Sequence, residues 1–216
     1  MAPVKAWKFT QANGATYGGF TWPLPHDGHP GEWVEVGKRA RKALTAKDLC
    51  TGRVLHATDA AHLLDWLKAE MYELEIDESR GVIVADKIGF RRGRLVRRIE
   101  AWNERTARLF ACACAEDALQ YADKGSRPTL ECAIYVARPY ADGEASDKEL
   151  AAARAAAGDA AWAAAGAAAG AAAWAAWAAA RAAAGDAARA AAGDAAWAAA
   201  WAKYTGWLHA LLGITA

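Results

Sequence analysis

Residues 155–201 read AAAGDAAWAAAGAAAGAAAWAAWAAARAAAGDAARAAAGDAAWAAAW. Four readings of this stretch compete: a disordered tail, a membrane span, one long helix, or a set of packed helices. Disorder fits poorly, because disordered segments lack aromatics and the chain carries eleven tryptophans. Residues 160–180 hold no charge, which is long enough to cross a bilayer. Yet sixteen of these are alanine, two glycine and three tryptophan. The residues that make insertion favourable, Leu, Ile, Phe and Val, do not occur there.

A single helix has alanine's propensity behind it, but Gly-Asp recurs at Gly158-Asp159, Gly185-Asp186 and Gly193-Asp194. Glycine closes a helix and aspartate opens the next. Two of the pairs are only eight residues apart, too close for each to be a break, so some are punctuation and others close-packing sites. The favoured reading is therefore several alanine-rich helices. Trp174 and Trp177 are three apart and Trp197 and Trp201 four apart, so each pair shares a helical face. Extended, one stripe reads Gly170, Trp174, Trp177, Arg181, and another Asp186, Arg189, Gly193, Trp197, Trp201. Such stripes fit first a core tied by Arg–Asp pairs and second a recess for a flat anion. Indoles stack on bases and arginine forks onto phosphate.

Outward from there, composition changes. Residues 1–101 predict a small α+β domain with a mainly antiparallel sheet, and residues 102–216 an all-α, alanine/tryptophan-rich bundle. Ala6–Thr10 (AWKFT), Phe20–Trp22 and Trp33–Val36 read as short strands, with residues 23–31 (PLPHDGHPG) a loop. Thr58-Asp59 caps a helix that carries Leu63, Leu64 and Leu67 to about Glu70. Tyr72, Leu74 and Ile76 alternate with Glu73, Glu75 and Asp77, a half-buried strand. Val82–Ala85 and Arg94–Ala101 follow as strands. Helices are expected from about Trp102 to Asp123, from Pro128, and from a Ser146/Glu149 capping box.

The remaining motifs weigh lightly. His26 and His29 lack the further ligands that zinc requires, so no metal is expected. His56 and His62 read as capping or core residues, and His209 carries no signal. Cys112 and Cys114 fall on opposite sides of a helix, and four scattered cysteines make no disulfide framework. With no apolar leader in MAPVKAWKFT, the setting expected is a reducing, bacterial cytoplasm. From Lys87 to Arg108 eight basic residues face two acidic ones. Arg94, Arg97 and Arg98 form a second candidate anion site. On a strand Arg97 shares a face with Leu95 and Ile99, and Arg94 shares the other with Arg98. A net charge of +1 and no recognition motif exclude a dedicated duplex-DNA binder. No phosphate-loop, serine-hydrolase, zinc-protease or kinase signature occurs.

Residues 50–52 (CTG) and 56–57 (HA), then DAAHLLDWL, MYELEID and RGRLVRRIEAW, resemble an uncharacterised domain of bacterial and phage proteins, over about residues 5–102. That family transfers no catalytic residues. RLFACACAEDALQYAD (Arg108–Asp123), followed by the alanine repeats, resembles an immunity-protein family of bacterial toxin systems. This implies a neutralising protein that blocks an effector, and a phage protein that captures a nucleotide immune signal has the same outline.

The expected function is thus non-catalytic sequestration of a small anionic, nucleotide-like ligand or a protein effector. No cofactor, duplex DNA or membrane is expected, and self-association is left open. Candidate ligand contacts are Arg181, Arg189, Trp174, Trp177, Trp197 and Trp201, then Arg94, Arg97 and Arg98. The rival is an enzyme acting on a nucleotide or ADP-ribose, with His56 and Glu73 or Glu75 as acid–base groups. A structural phage component is a third class.

Overall fold

The computed structural model describes residues 5–16, 19–36, 44, 45, 47, 54–77, 82–84, 86–121, 124, 125, 127–153, 155, 156 and 184–214. The class is α+β. Seven strands occur among the described residues: β1 Ala6–Thr10, β2 Val34–Glu35, β3 Leu55–Ala57, β4 Glu70–Ile76, β5 Val82–Val84, β6 Lys87–Phe90 and β7 Arg92–Arg98. They form two antiparallel sheets, ordered β1-β4-β7-β2 and β3-β6-β5. Among the described residues the α-helices with fixed bounds are α1 Glu104–Ala118, α2 Arg127–Ala141 and α3 Ala184–Leu212. Two compact units emerge, Met1–Asn103 with Thr205–Ala216, and Glu104–Tyr204.

In the first unit the core lies between the sheets. Ala6, Tyr72, Leu74 and Leu95 come from one sheet, and Leu55, Ala57, Ile88 and Phe90 from the other, with Trp22 joining them. The alternation of Tyr72, Leu74 and Ile76 puts these side chains on that inner face. β1 is held on both sides. It pairs with β4 along one edge, and Trp7 bridges Thr58 through two 2.9 Å backbone bonds on the other. Phe9 lies on the opposite face and meets Trp102 edge-on at 6.0 Å. The Trp102 indole N–H donates to the Lys68 carbonyl at 2.8 Å. The end of α3 belongs to this unit, with Leu208 and Leu212 buried and the His209 ring bonded to the Ala60 carbonyl.

Several expectations are corrected. Phe20–Trp22 is not a strand; only Thr21 bridges Ala15, and Trp22 goes into the core. The expected α-helix after Asp59 is a short 3₁₀ helix, Ala60–Trp66. Asp59 does cap it, accepting from both the His62 N–H and the His62 ring. That double hold leaves His62 off helical geometry and keeps the turn tight. β3 and β6 are additions that no periodicity announces, three and four residues long. Residues 26–29 form a tight turn, with positive φ at Asp27 and Gly28 matching a two-residue hairpin.

In the second unit α1 and α2 pair. Arg138 makes a two-pronged ion pair with Glu116, and Arg105 holds Asp142. The Asp117 carboxylate takes Lys203 and the Tyr204 hydroxyl from α3. Ser146 and Glu149 make the reciprocal cap of a capping box, and helical residues follow it. Among the described residues no helix is long and apolar enough to cross a membrane.

Candidate functional site

The first unit encloses a cavity of about 590 Å³, within the range of small-molecule sites. β1 contributes Lys8, Phe9 and Thr10. The turn after β1 supplies Thr16, Phe20 and Trp22, and β3 supplies His56. The 3₁₀ helix and its exit supply Asp65, Trp66 and Lys68. The Asp59 cap orients this last group. Trp66 is fixed in turn by its indole N–H, which donates to the Asp86 carbonyl at 2.9 Å. Lys87 sits over the Trp66 ring at 5.9 Å.

Lys8 is the unusual member. Its ammonium donates to the His56 carbonyl at 2.8 Å, and among the described residues no carboxylate pairs with it. Burial without a counter-charge disfavours the charged form, and the amine is pulled down to about 8. Asp65 is pushed above its ordinary value, by desolvation first and by neighbouring Asp86 as well, against the pull of His62.

Thr10 leads from the cavity to a buried carboxylate. Glu70 Oε2 accepts from the Thr10 hydroxyl, the Gly14 N–H at 3.2 Å and the Tyr72 hydroxyl at 3.0 Å. Arg98 lies 3.5 Å from its other oxygen. Burial, with the bond and charge of Glu70, pushes the Tyr72 phenol up to about 12. This hub sets the floor of the site by fixing β1 and the Gly14 turn against β4.

The sequence-predicted contacts disperse. Trp174, Trp177 and Arg181 lie outside the described residues. Arg189, Trp197 and Trp201 fall on α3; of the three side chains only that of Trp201, half-buried, is described. Arg94 binds Glu75 at 2.7 Å, Arg97 binds Glu73 at 2.6 Å, and Arg98 faces Glu70 and Glu100. All three arginines thus carry carboxylates already. The expected facing of these arginines is overturned by a bulge: Glu73 stands opposite Arg97 and Leu74 opposite Leu95, leaving Val96 unpaired. Arg94 and Arg97 therefore share the Glu73/Glu75 face, and Arg98 lies with Glu70. Trp33 covers part of that face, with Arg92 and Arg94 over its ring at 4.2 and 4.7 Å.

Of the rival acid–base set, His56 lines the cavity, whereas Glu73 and Glu75 hold arginines. Sequence reasoning missed Lys8, Asp65, Trp66 and Lys68. For Lys8 the pattern misleads: in AWKFT it alternates with Trp7 and Phe9 and reads as the solvent face.

The second unit has a smaller recess of about 300 Å³ between α1 and α2, walled by Cys112, Ala115, Ile134 and Ala137. Burial raises the Cys112 and Cys114 thiols above their ordinary value, so neither is an activated nucleophile. Among the described residues no cluster of three or more potential metal ligands occurs. No protein family, curated protein or solved structure matches the chain.

Proposed function

We propose that the chain binds a small anionic, nucleotide-like ligand in the cavity of its first unit and withholds it without turnover. One observation carries this reading: a cavity of ligand size holding Lys8, a cation with no carboxylate partner among the described residues. A phosphate or carboxylate on the ligand supplies the missing counter-charge, and Lys68 is a second cation lining the same cavity. Phe20 and Trp66 offer flat faces to a base or similar ring. Withholding a signal is the behaviour expected of an immunity or counter-defence protein, and the α1 resemblance supports that setting. For the helical half a bundle remains our proposal, supported by the α1–α2 pairing and the Asp117 contacts to α3.

One observation favours the enzymatic alternative: Lys8, His56 and Asp65 line one cavity, and titratable groups gathered in a recess are what acid–base chemistry needs.

A panel of mononucleotides, cyclic dinucleotides and ADP-ribose separates the two. We expect at least one to raise the melting temperature of the wild-type chain and to be recovered unchanged after heat release. Lys8→Glu, which reverses the charge, abolishes that shift. Recovery of an altered product establishes catalysis instead, and a panel without any thermal shift overturns the ligand reading.

A further inference from the structure

We propose that Lys8 is a covalent capture site, its amine forming an imine with an aldehyde carried by an anionic ring compound seated in the cavity. The inference rests on the cavity being a ligand site, as proposed above.

The geometry supplies what imine formation requires. Lys8 is the central residue of β1, whose backbone is bonded on both sides, so the amine is presented from a rigid base. Its single described hydrogen bond, to the His56 carbonyl, uses a donor and leaves the lone pair free once the amine is neutral. No carboxylate among the described residues holds the charged form, and the amine titrates at about 8 rather than 10.5. At pH 7 that leaves on the order of a hundred times more free amine than an ordinary lysine has.

The chemistry balances without an oxidant or reductant. The nitrogen lone pair adds to the carbonyl carbon and the C=O π pair moves onto oxygen. A proton passes from nitrogen to that oxygen, giving a carbinolamine. The hydroxyl then leaves as water, taking one proton, as the nitrogen lone pair closes the C=N bond. Asp65, whose carboxyl is raised and which lines the same cavity, is a group able to carry these protons. Lys68 meets the anionic substituent and Trp66 the ring. A free lysine on a surface has none of these companions.

Pyridoxal 5′-phosphate, an aldehyde with a ring and a phosphate, is the probe. Pyridoxine 5′-phosphate, the alcohol of the same shape, is its control. The full-length chain is mixed with equimolar aldehyde at neutral pH, reduced with borohydride and mapped by peptide mass spectrometry. We expect Lys8 to be labelled about ten-fold faster than any other lysine, on the strength of its larger free-amine fraction. Excess pyridoxine phosphate should slow that labelling and raise the melting temperature by itself. Lys8→Arg should lose the label, because a guanidinium is always charged and offers no amine lone pair. The competition on the wild-type chain needs no variant to fold.

Label spread evenly over lysines, with a thermal shift from the alcohol, overturns covalent capture and leaves the cavity reading standing. Even label with no shift overturns both. Fast labelling of Lys8 that the alcohol does not slow overturns seating in the cavity.

Discussion

Two side chains, Glu70 and Lys8, show how a buried charge is treated when partners are present and when they are not. Glu70 gathers donors from the Gly14 backbone, Tyr72 and Thr10, with Arg98 nearby. Lys8 has one carbonyl and no described counter-ion. The first arrangement is structural and the second is where a ligand gains most. Removing the Glu70 charge tests the contrast. Glu70→Gln should cost about 1–3 kcal/mol in urea denaturation, because buried donors lose a charged acceptor. Ultraviolet titration of the same variant should show the Tyr72 phenol ionising at lower pH, since Glu70 is part of what lifts it. An unchanged Tyr72 titration would leave burial, with the charge of Glu100, as the cause.

Among the elements, β1 was legible because Trp7, Phe9 and Thr10 are strand formers and Asn13-Gly14 turns the chain after them, and β4 because its alternation is regular. The faces of β7 were not. Arg94, Arg97 and Arg98 can be assigned to sides only if the extra Val96 is known, and a bulge leaves no mark in composition. β3 and β6 are too short to show a period, and Gly89 interrupts the latter. The cavity was illegible for a related reason: it assembles single residues from β1, a turn, β3 and a 3₁₀ helix. Close backbone approach gives a sharper prediction at this scale. A Cβ on Gly31 would strike the Pro23 carbonyl oxygen and come within 3.0 Å of its carbon. Backbone cannot step aside there, so Gly31→Ala should destabilise by about 1–3 kcal/mol. Gly206→Ala on α3 meets nothing within 4 Å and should stabilise by about 0.5–1 kcal/mol. Paired denaturation curves measure both.

For the whole molecule, composition marks a change of character near residue 102, and the structural division falls between Asn103 and Glu104. Nothing in composition announces that Thr205–Ala216 goes with the first unit, since that stretch continues a helix. Global stability should bear the imprint of Lys8 and Tyr72. The folded Lys8 titrates at about 8 against 10.5 unfolded. Its burial is therefore harmless above 10.5 and opposes folding increasingly as pH falls to 8. Tyr72 acts oppositely: raised to about 12 from 10, it adds stability below 10 that is lost as pH climbs through 12. We expect Lys8→Met to raise the melting temperature at pH 7, with the gain vanishing by pH 10.5. A gain that persists at pH 10.5 would mean that hydrophobic filling, not discharge, is responsible.

The unpaired Val96 makes β7 a ribbon written in two phases. Each part keeps its own inside and outside, and carrying the phase of Arg92–Leu95 straight through misplaces Arg97 and Arg98. A one-residue insertion or deletion would rotate only the stretch on its own side of the kink. The strand can thus be edited at either end without disturbing the other, provided positions are counted from the nearer end.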